Sequence, residues 1–137
     1  MEKITLGHGS GGRLTQNLIE AILGAFSSKD TVPELEDCAL VWGKYGITID
    51  SFTVSPREFP GGDIGELAIC GSANDLAVRG VRPQFIAMSV VAEEGLPISE
   101  LARYMESAAH ICHHLDIKLV AGDTKVVPKG HVEGLFI

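Results

Sequence analysis

Residues 61–80, GGDIGELAICGSANDLAVRG, constrain the fold more than any other stretch. Read as a helix, they put Ile64, Leu67, Ala68, Cys70, Gly71, Ala73, Leu76, Ala77 and Val78 on nearly every side. That is the pattern of a helix buried among other elements. Asn74 and Asp75 interrupt it beside Gly71 and Ser72, all poor residues for a helix interior. A carboxylate in apolar surroundings is costly unless a cation or several donors meet it. Asp75 therefore either has such a partner, or it caps the following turn or pairs with Arg79. This segment alone leaves both readings open.

The chain has 137 residues, enough for one domain with a real core. A net charge of -7 argues against a nucleic-acid or anionic-membrane surface. An anionic ligand would thus need a metal or a local cluster of donors. Cys38, Cys70 and Cys112 are odd in number and widely spaced, with no CxxC pattern. Reduced, largely buried thiols in a cytoplasmic protein are the expectation. The N-terminus lacks the apolar core of a signal peptide, and the longest apolar run, 85–92, is too short to cross a bilayer.

Residues 7–12, GHGSGG, form a glycine-rich loop ahead of an amphipathic run over 14–26, with Leu14, Leu18, Ile22, Ala25 and Phe26 on one face. Such a loop can wrap phosphate oxygens with backbone N–H groups or be only an N-terminal arm. It lacks the GK[ST] of a Walker A loop. After a polar connection over 27–36, strands are expected at 39–45 and 47–54, joined by a turn near Gly46. Asp37 precedes the first and Asp50 closes the apolar part of the second, where a plain turn or strand-end role is the alternative.

The proline- and glycine-rich 55–62 is a loop, and Asp63 is placed to cap the buried helix. Residues 85–91 read as a strand buried on both faces. A second helix is expected from Pro97 and Ser99 to about Leu115. Its apolar face comprises Ile98, Leu101, Ala102, Met105, Ala108, Ala109, Cys112 and Leu115, and its solvated face carries His110, His113 and His114. The histidines invite a metal reading, against which stands a plain solvated face. Residues 117–127, IKLVAGDTKVV, form a strand in which Asp123 and Lys125 point to the same side. They are an ion pair or part of a site, and Gly122 lets something approach the backbone closely. Residues 132–137 read as a last strand.

Asp50, Asp75 and Asp123 each interrupt or end a core element, and Lys125 accompanies the last. Convergent carboxylates suit a hard cation such as Mg2+ bridged to phosphates, and lysine supplies a compact charge for phosphate oxygens. Periodicity does not show that these residues meet.

The stretches FPGGDIGELAICGSANDLAVRGVRP, AEEGLP and AGDTKVVPKG, with GHGSGG, closely resemble the HypE family of hydrogenase maturation factors, over about residues 4–137. That family belongs to the PurM-like, aminoimidazole ribonucleotide synthetase group of ATP-dependent enzymes. The resemblance implies an α+β, PurM-like N-terminal domain: a small mixed β-sheet with helices on one face and the other face used for dimerisation. It implies ATP with Mg2+ near Asp37, Asp50, Asp75 and Asp123. Gly9, Ser10, Gly11 and Gly12 would close over the nucleotide, joined by Asn74 and Thr124 of the ND and GDT elements. Lys125 and Asp123 would be the catalytic residues. Where the family has TDS, this chain has Ile49-Asp50-Ser51, losing a hydroxyl and keeping the aspartate.

In that family ATP drives dehydration of a carbamoylated C-terminal cysteine to a thiocyanate, the source of the cyanide ligands of nickel-iron hydrogenases. The implied partners are a second copy of the chain, the carbamoyltransferase HypF and the HypC–HypD scaffold. The family's second domain and acceptor cysteine are missing from these residues, and Cys38, Cys70 and Cys112 do not match that cysteine. The chain alone is therefore expected to be inactive. The alternatives are another superfamily member, such as a thiamine-monophosphate kinase or selenophosphate synthetase, or a non-catalytic dimerisation and docking module. The absence of a cysteine before Cys38 counts against the selenophosphate enzyme.

Overall fold

The computed structural model describes residues 3–26 and 36–137, which belong to two compact units, Met1–Leu35 and Glu36–Ile137. In the first unit the glycine-rich stretch is ordered as a 3-10 turn, Leu6–Gly9, followed by helix α1, Gly12–Gly24. His8 folds back so that its Nδ1 lies 3.1 Å from the Thr5 backbone nitrogen and 3.0 Å from Thr5 Oγ1. Ser10 Oγ donates to the Leu6 carbonyl at 2.9 Å. Gly11 and Gly12 then take φ of 80° and 76°, a left-handed conformation that glycine adopts without a Cβ penalty. The expected helix is present, with bounds two residues earlier than the apolar run.

The second unit begins with a hairpin of β1 (Ala39–Val41) and β2 (Tyr45–Ile47). This corrects the expected strand pair. The turn lies at Trp42 and Gly43, with φ of 55° and 63° and a Lys44 N–H to Val41 carbonyl bond of 3.1 Å. Gly46 sits inside β2 for a different reason. A Cβ there would lie 2.7 Å from Val81 Cγ1 and 3.1 Å from Cys38 Sγ, so glycine supplies space and not a turn. Residues 48–54 form no strand. Only Phe52 makes a ladder-like pair, its N–H to the Ile137 carbonyl at 2.7 Å and its carbonyl from the Ile137 N–H at 3.2 Å.

A short ladder of β3 (Glu58–Phe59) with β4 (Gly62–Asp63) leads into helix α2, Ile64–Val78. As expected, Asp63 caps it, its Oδ1 accepting from the N–H groups of Gly65 (2.8 Å) and Glu66 (3.1 Å). Burial is concentrated in the first part of α2, at Ile64, Gly65, Ala68, Ile69 and Ala73, whereas Val78 is exposed. The helix is thus buried at one end and not on every side of its whole length.

Strand β5 (Phe85–Glu93) is the middle of a three-stranded sheet, β6-β5-β7. β6 (Lys118–Val127) runs parallel to it and β7 (Leu135–Phe136) antiparallel, so the sheet is mixed. Helix α3 (Ile98–Leu115) makes the crossover between β5 and β6. One core cluster joins Ile64, Val90, Ala92, Tyr104 and Leu135, and another joins Ile69, Ala73, Ala108 and Ile117; Met88 packs against both. Helices and sheet therefore meet through alternate residues of β5, giving the expected α+β layering. Three expectations change. β5 alternates between buried Val90 and Ala92 and more open Phe85, Ala87 and Ser89, so it is not buried on both faces. The last strand shrinks to Leu135–Phe136. The buried stripe of α3 includes Tyr104 and leaves Ile98 exposed. The three cysteines are free thiols, Cys38 buried and the others half-buried, with burial pushing the Cys112 thiol up. Among the described residues no helix is long and apolar enough to cross a membrane.

The 55–62 loop is tied to α3 by charge. Arg57 Nε and its terminal NH2 nitrogen reach Glu100 Oε1 at 3.0 and 2.7 Å, and the Tyr104 hydroxyl donates to the same oxygen at 3.0 Å. Arg103 pairs with Glu58 beside it. The Arg57 hydrogen bond holds the Glu100 carboxyl below its usual range. A lowered folded-state pKa stabilises the fold above the unfolded-state pKa, and that stabilisation is lost as pH falls through the folded value. Glu100→Gln is expected to cost about 1–2 kcal/mol at neutral pH, with the deficit shrinking as pH falls below the ordinary glutamate range and through the lowered folded value. Denaturant melts across that pH range check it, and a deficit that stays constant to acid pH would remove the ion pair as the cause.

Candidate functional site

β7 covers only the Val91–Ala92 end of β5. Beside the earlier part of β5 lies a groove of about 530 Å³, bounded by residues 49–52, by Ala68, Ile69 and Ser72 of α2, and by Ala121, Gly122 and Asp123 of β6. Two of the expected aspartates, Asp50 and Asp123, line it, as does Ser89. Asp50 Oδ1 accepts the Ser51 N–H at 2.8 Å. Ile49 is 94% exposed and lines the same groove. The Phe52 ring lies over Gly71 of α2, where a Cβ would come within 2.5 Å of it. Glycine inside the helix thus lets the aromatic ring seat.

The β5–β6 register explains how charge reaches this side of the sheet. Phe85 pairs with Lys118 and Ile86 with Leu119, but Ala87 pairs with Ala121, so Val120 is an extra residue in a bulge. Beyond the bulge Asp123 lies beside Ser89 and Lys125 beside Val91, on the open face, while Thr124 lies beside buried Val90 on the other. A continuous ladder would put Asp123 next to Val90 and turn the carboxylate toward the helices. Asp123 and Lys125 do pair, Nζ to Oδ2 at 3.5 Å, with side chains 66% and 71% exposed. The close approach allowed by Gly122 is made by the sheet itself: a Cβ there would stand 3.3 Å from the Met88 carbonyl oxygen.

Asp75 has a different setting. Its Oδ2 accepts from Thr48 Oγ1 at 3.0 Å, and the same hydroxyl lies 2.8 Å from the Asp37 carbonyl oxygen. Arg79 pairs with Glu36 and not with Asp75. Thr48 was not among the expected site residues; a hydroxyl two positions before Asp50 was the available signal. Asn74 is exposed on the less buried end of α2. Gly9, Ser10, Gly11 and Gly12 belong to the other unit, where they form the turn into α1, whose N-cap Gly11 offers no side-chain oxygen to the first amides. Among the described residues no group of three or more His, Cys, Asp or Glu is placed to hold a metal ion. Mg2+ is normally held by one or two carboxylates together with waters and phosphate oxygens. The oxygen donors of Asp50 and Asp123 on one groove fit that kind of ion. A larger groove of about 660 Å³ between α3 and the start of β6 is lined mainly by Met88, Met105, Ala108, Ala109, Cys112 and Ile117, and lacks paired carboxylates.

Comparison with known proteins places the chain in a family. Over 99% of its length the chain is 39% identical to the carbamoyl dehydratase HypE of Rhodobacter capsulatus, covering 42% of that protein. Over its whole length it is 39% identical to HypE of Escherichia coli K12, covering 43%. The chain thus spans about two fifths of the length of these curated relatives. A crystal structure of a HypE–HypF complex matches 87% of the chain with a TM-score of 0.79 and 44% identity, over 39% of that chain. A structure of HypE in complex with ATP matches 98% with a TM-score of 0.65 and 34% identity, over 41% of that chain. A thiamine-monophosphate kinase complexed with AMPPCP and TMP shares the fold at 20% identity and a TM-score of 0.70, matching 93% of the chain and 42% of that structure. Residues 35–137 match the family described as AIR synthase related protein, N-terminal domain, and it is to this family that the chain belongs.

Proposed function

We propose that the chain is the nucleotide- and metal-binding part of a HypE-type, ATP-dependent carbamoyl dehydratase, the enzyme that converts a carbamoylated C-terminal cysteine to a thiocyanate for hydrogenase cyanide ligands. The observation that carries this reading is the groove shared by Asp50 and Asp123, with Lys125 on the same sheet face, in a chain whose relatives include a HypE structure with ATP. Asp50 and Asp123 would hold Mg2+, with Asp75 and Asp37 nearer Thr48 as further oxygen donors. Gly9, Ser10, Gly11 and Gly12 would present backbone N–H groups to phosphate, with Asn74 and Thr124 at the nucleotide. Bound ATP supplies the activation that makes the amide oxygen a leaving group. Lys125 would set its cation against phosphate oxygens, with the Asp123 carboxylate 3.5 Å from it.

Calorimetric titration of this chain with ATP, with and without Mg2+, tests the reading. Binding that Mg2+ strengthens tenfold or more is expected. Equal affinity in the two titrations, or none, would instead favour a docking module. HypF and the HypC–HypD scaffold are the proposed macromolecular partners.

The open face of β5 and β6 supports a homodimer. Phe85 and Ala87 are exposed on that face, and Leu119, Val120 and Val126 are more than half exposed along the β6 edge. A second copy laid across that face and edge would cover them symmetrically. Light scattering is expected to give twice the chain mass at micromolar concentration, and a well-behaved monomer would exclude the dimer.

A further inference from the structure

Three imidazoles, those of His110, His113 and His114, stand exposed along the last turns of α3. We propose that His110 and His114 together form a surface site for a late divalent transition-metal ion of the Zn2+ or Cu2+ kind, with water in the remaining positions.

Residues four apart in a continuous helix stand one above the other, with Cβ atoms about 5–6 Å apart. Two histidines at this spacing on one helix face can share a single Zn2+. Their helical frame is fixed here. Tyr104 and Ala108 are buried, Ile111 and Leu115 pack against the core, and Asp116 closes the helix in a left-handed conformation, its N–H turned back to the Cys112 and His113 carbonyls. The pair therefore does not depend on a frayed terminus for its geometry. A cation at this end also meets the negative pole of the helix dipole.

Ligand chemistry separates this site from the carboxylate groove. Neutral imidazole suits Zn2+ and Cu2+, whereas paired carboxylates suit Mg2+. Neither His110 nor His114 lines the groove of Asp50 and Asp123. His113, three residues from His110, instead borders the apolar groove with Cys112 and Met105. No third ligand completes a cluster among the described residues. The site is accordingly a two-ligand, water-completed one, open to exchange and weaker than a closed structural zinc.

Zn2+ titration of the untagged chain, by competition with a chromogenic chelator, reads the site directly. One Zn2+ per chain is expected. His110→Ala and His114→Ala should each weaken binding tenfold or more, while His113→Ala changes it less than twofold. Substoichiometric Cu2+ should broaden the ring protons of His110 and His114 before those of His8, His113 and His131. All three substitutions lie on exposed positions, and circular dichroism checks that α3 persists. The proposal is overturned if Zn2+ fails to bind, if the His110 and His114 variants bind within twofold of the parent, or if His113→Ala is as harmful as either.

Discussion

Gly65→Ala is expected to destabilise the Glu36–Ile137 unit by about 3 kcal/mol or more, toward the upper end of what overpacking costs. A Cβ built on Gly65 would stand 2.0 Å from the Tyr104 carbonyl oxygen and 2.8 Å from its carbon. Both atoms are α3 backbone, so no rotamer change relieves the clash. The two helices would have to separate where Ile64, Tyr104 and Leu135 form the core. A total stability of about 5–15 kcal/mol is typical of a domain, so the loss is a large fraction. The sign is informative, because glycine to alanine inside an ordinary exposed helix stabilises by about 1 kcal/mol. Urea denaturation followed by circular dichroism provides the measurement. A midpoint equal to or above that of the parent would show that α2 and α3 do not cross as closely as described. Gly71→Ala is a useful comparison: its Cβ would meet only the Phe52 side chain, at 2.5 Å, and a ring can move where a carbonyl cannot.

The second large effect is expected at Asp123. In the proposed site its carboxylate lies at the groove and also holds Lys125 at 3.5 Å. Asp123→Asn keeps the shape and removes the charge, so Mg2+ should lose most of its ability to strengthen ATP binding. An affinity gain on adding Mg2+ that falls by tenfold or more corresponds to about 1.4 kcal/mol. Fold stability should change little, since the side chain is 66% exposed on an edge strand. Lys125→Ala should behave differently, lowering affinity for ATP in the absence of metal as well, because its cation acts on phosphate directly. Calorimetry on the two variants separates these roles. An Asp123→Asn chain whose Mg2+ response matches the parent would take Asp123 out of the metal site.

Much of the architecture was legible in the residues. The α2 helix and its Asp63 cap followed from a small-residue run preceded by an aspartate, and α3 from the apolar spacing after Pro97. Asp123 and Lys125 were expected on one side of a strand, and they pair there. A glycine such as Gly46 is ambiguous in sequence: it can offer a positive φ or vacate space. Here Val81 and Cys38 need the space, and the turn passes to Trp42 and Gly43. Tyr104 joined the core because its ring is apolar and its hydroxyl finds Glu100, a partner brought near Arg57 only by folding.

Residue order by itself determined the three helices and the two long strands near 85–93 and 118–127, since periodicity, caps and breakers act between near neighbours. It also placed Asp123 and Lys125 two apart on a single strand. The tertiary structure alone decided which way that strand faces. A side-chain period of two makes the facing of every residue depend on one count, and the bulge at Val120 changes the count. Nothing local in IKLVAGDTKVV signals it, because the extra residue exists only relative to β5. The same dependence on distant neighbours set Asp75 against Thr48, Arg79 against Glu36, and Asp50 and Asp123 on one groove.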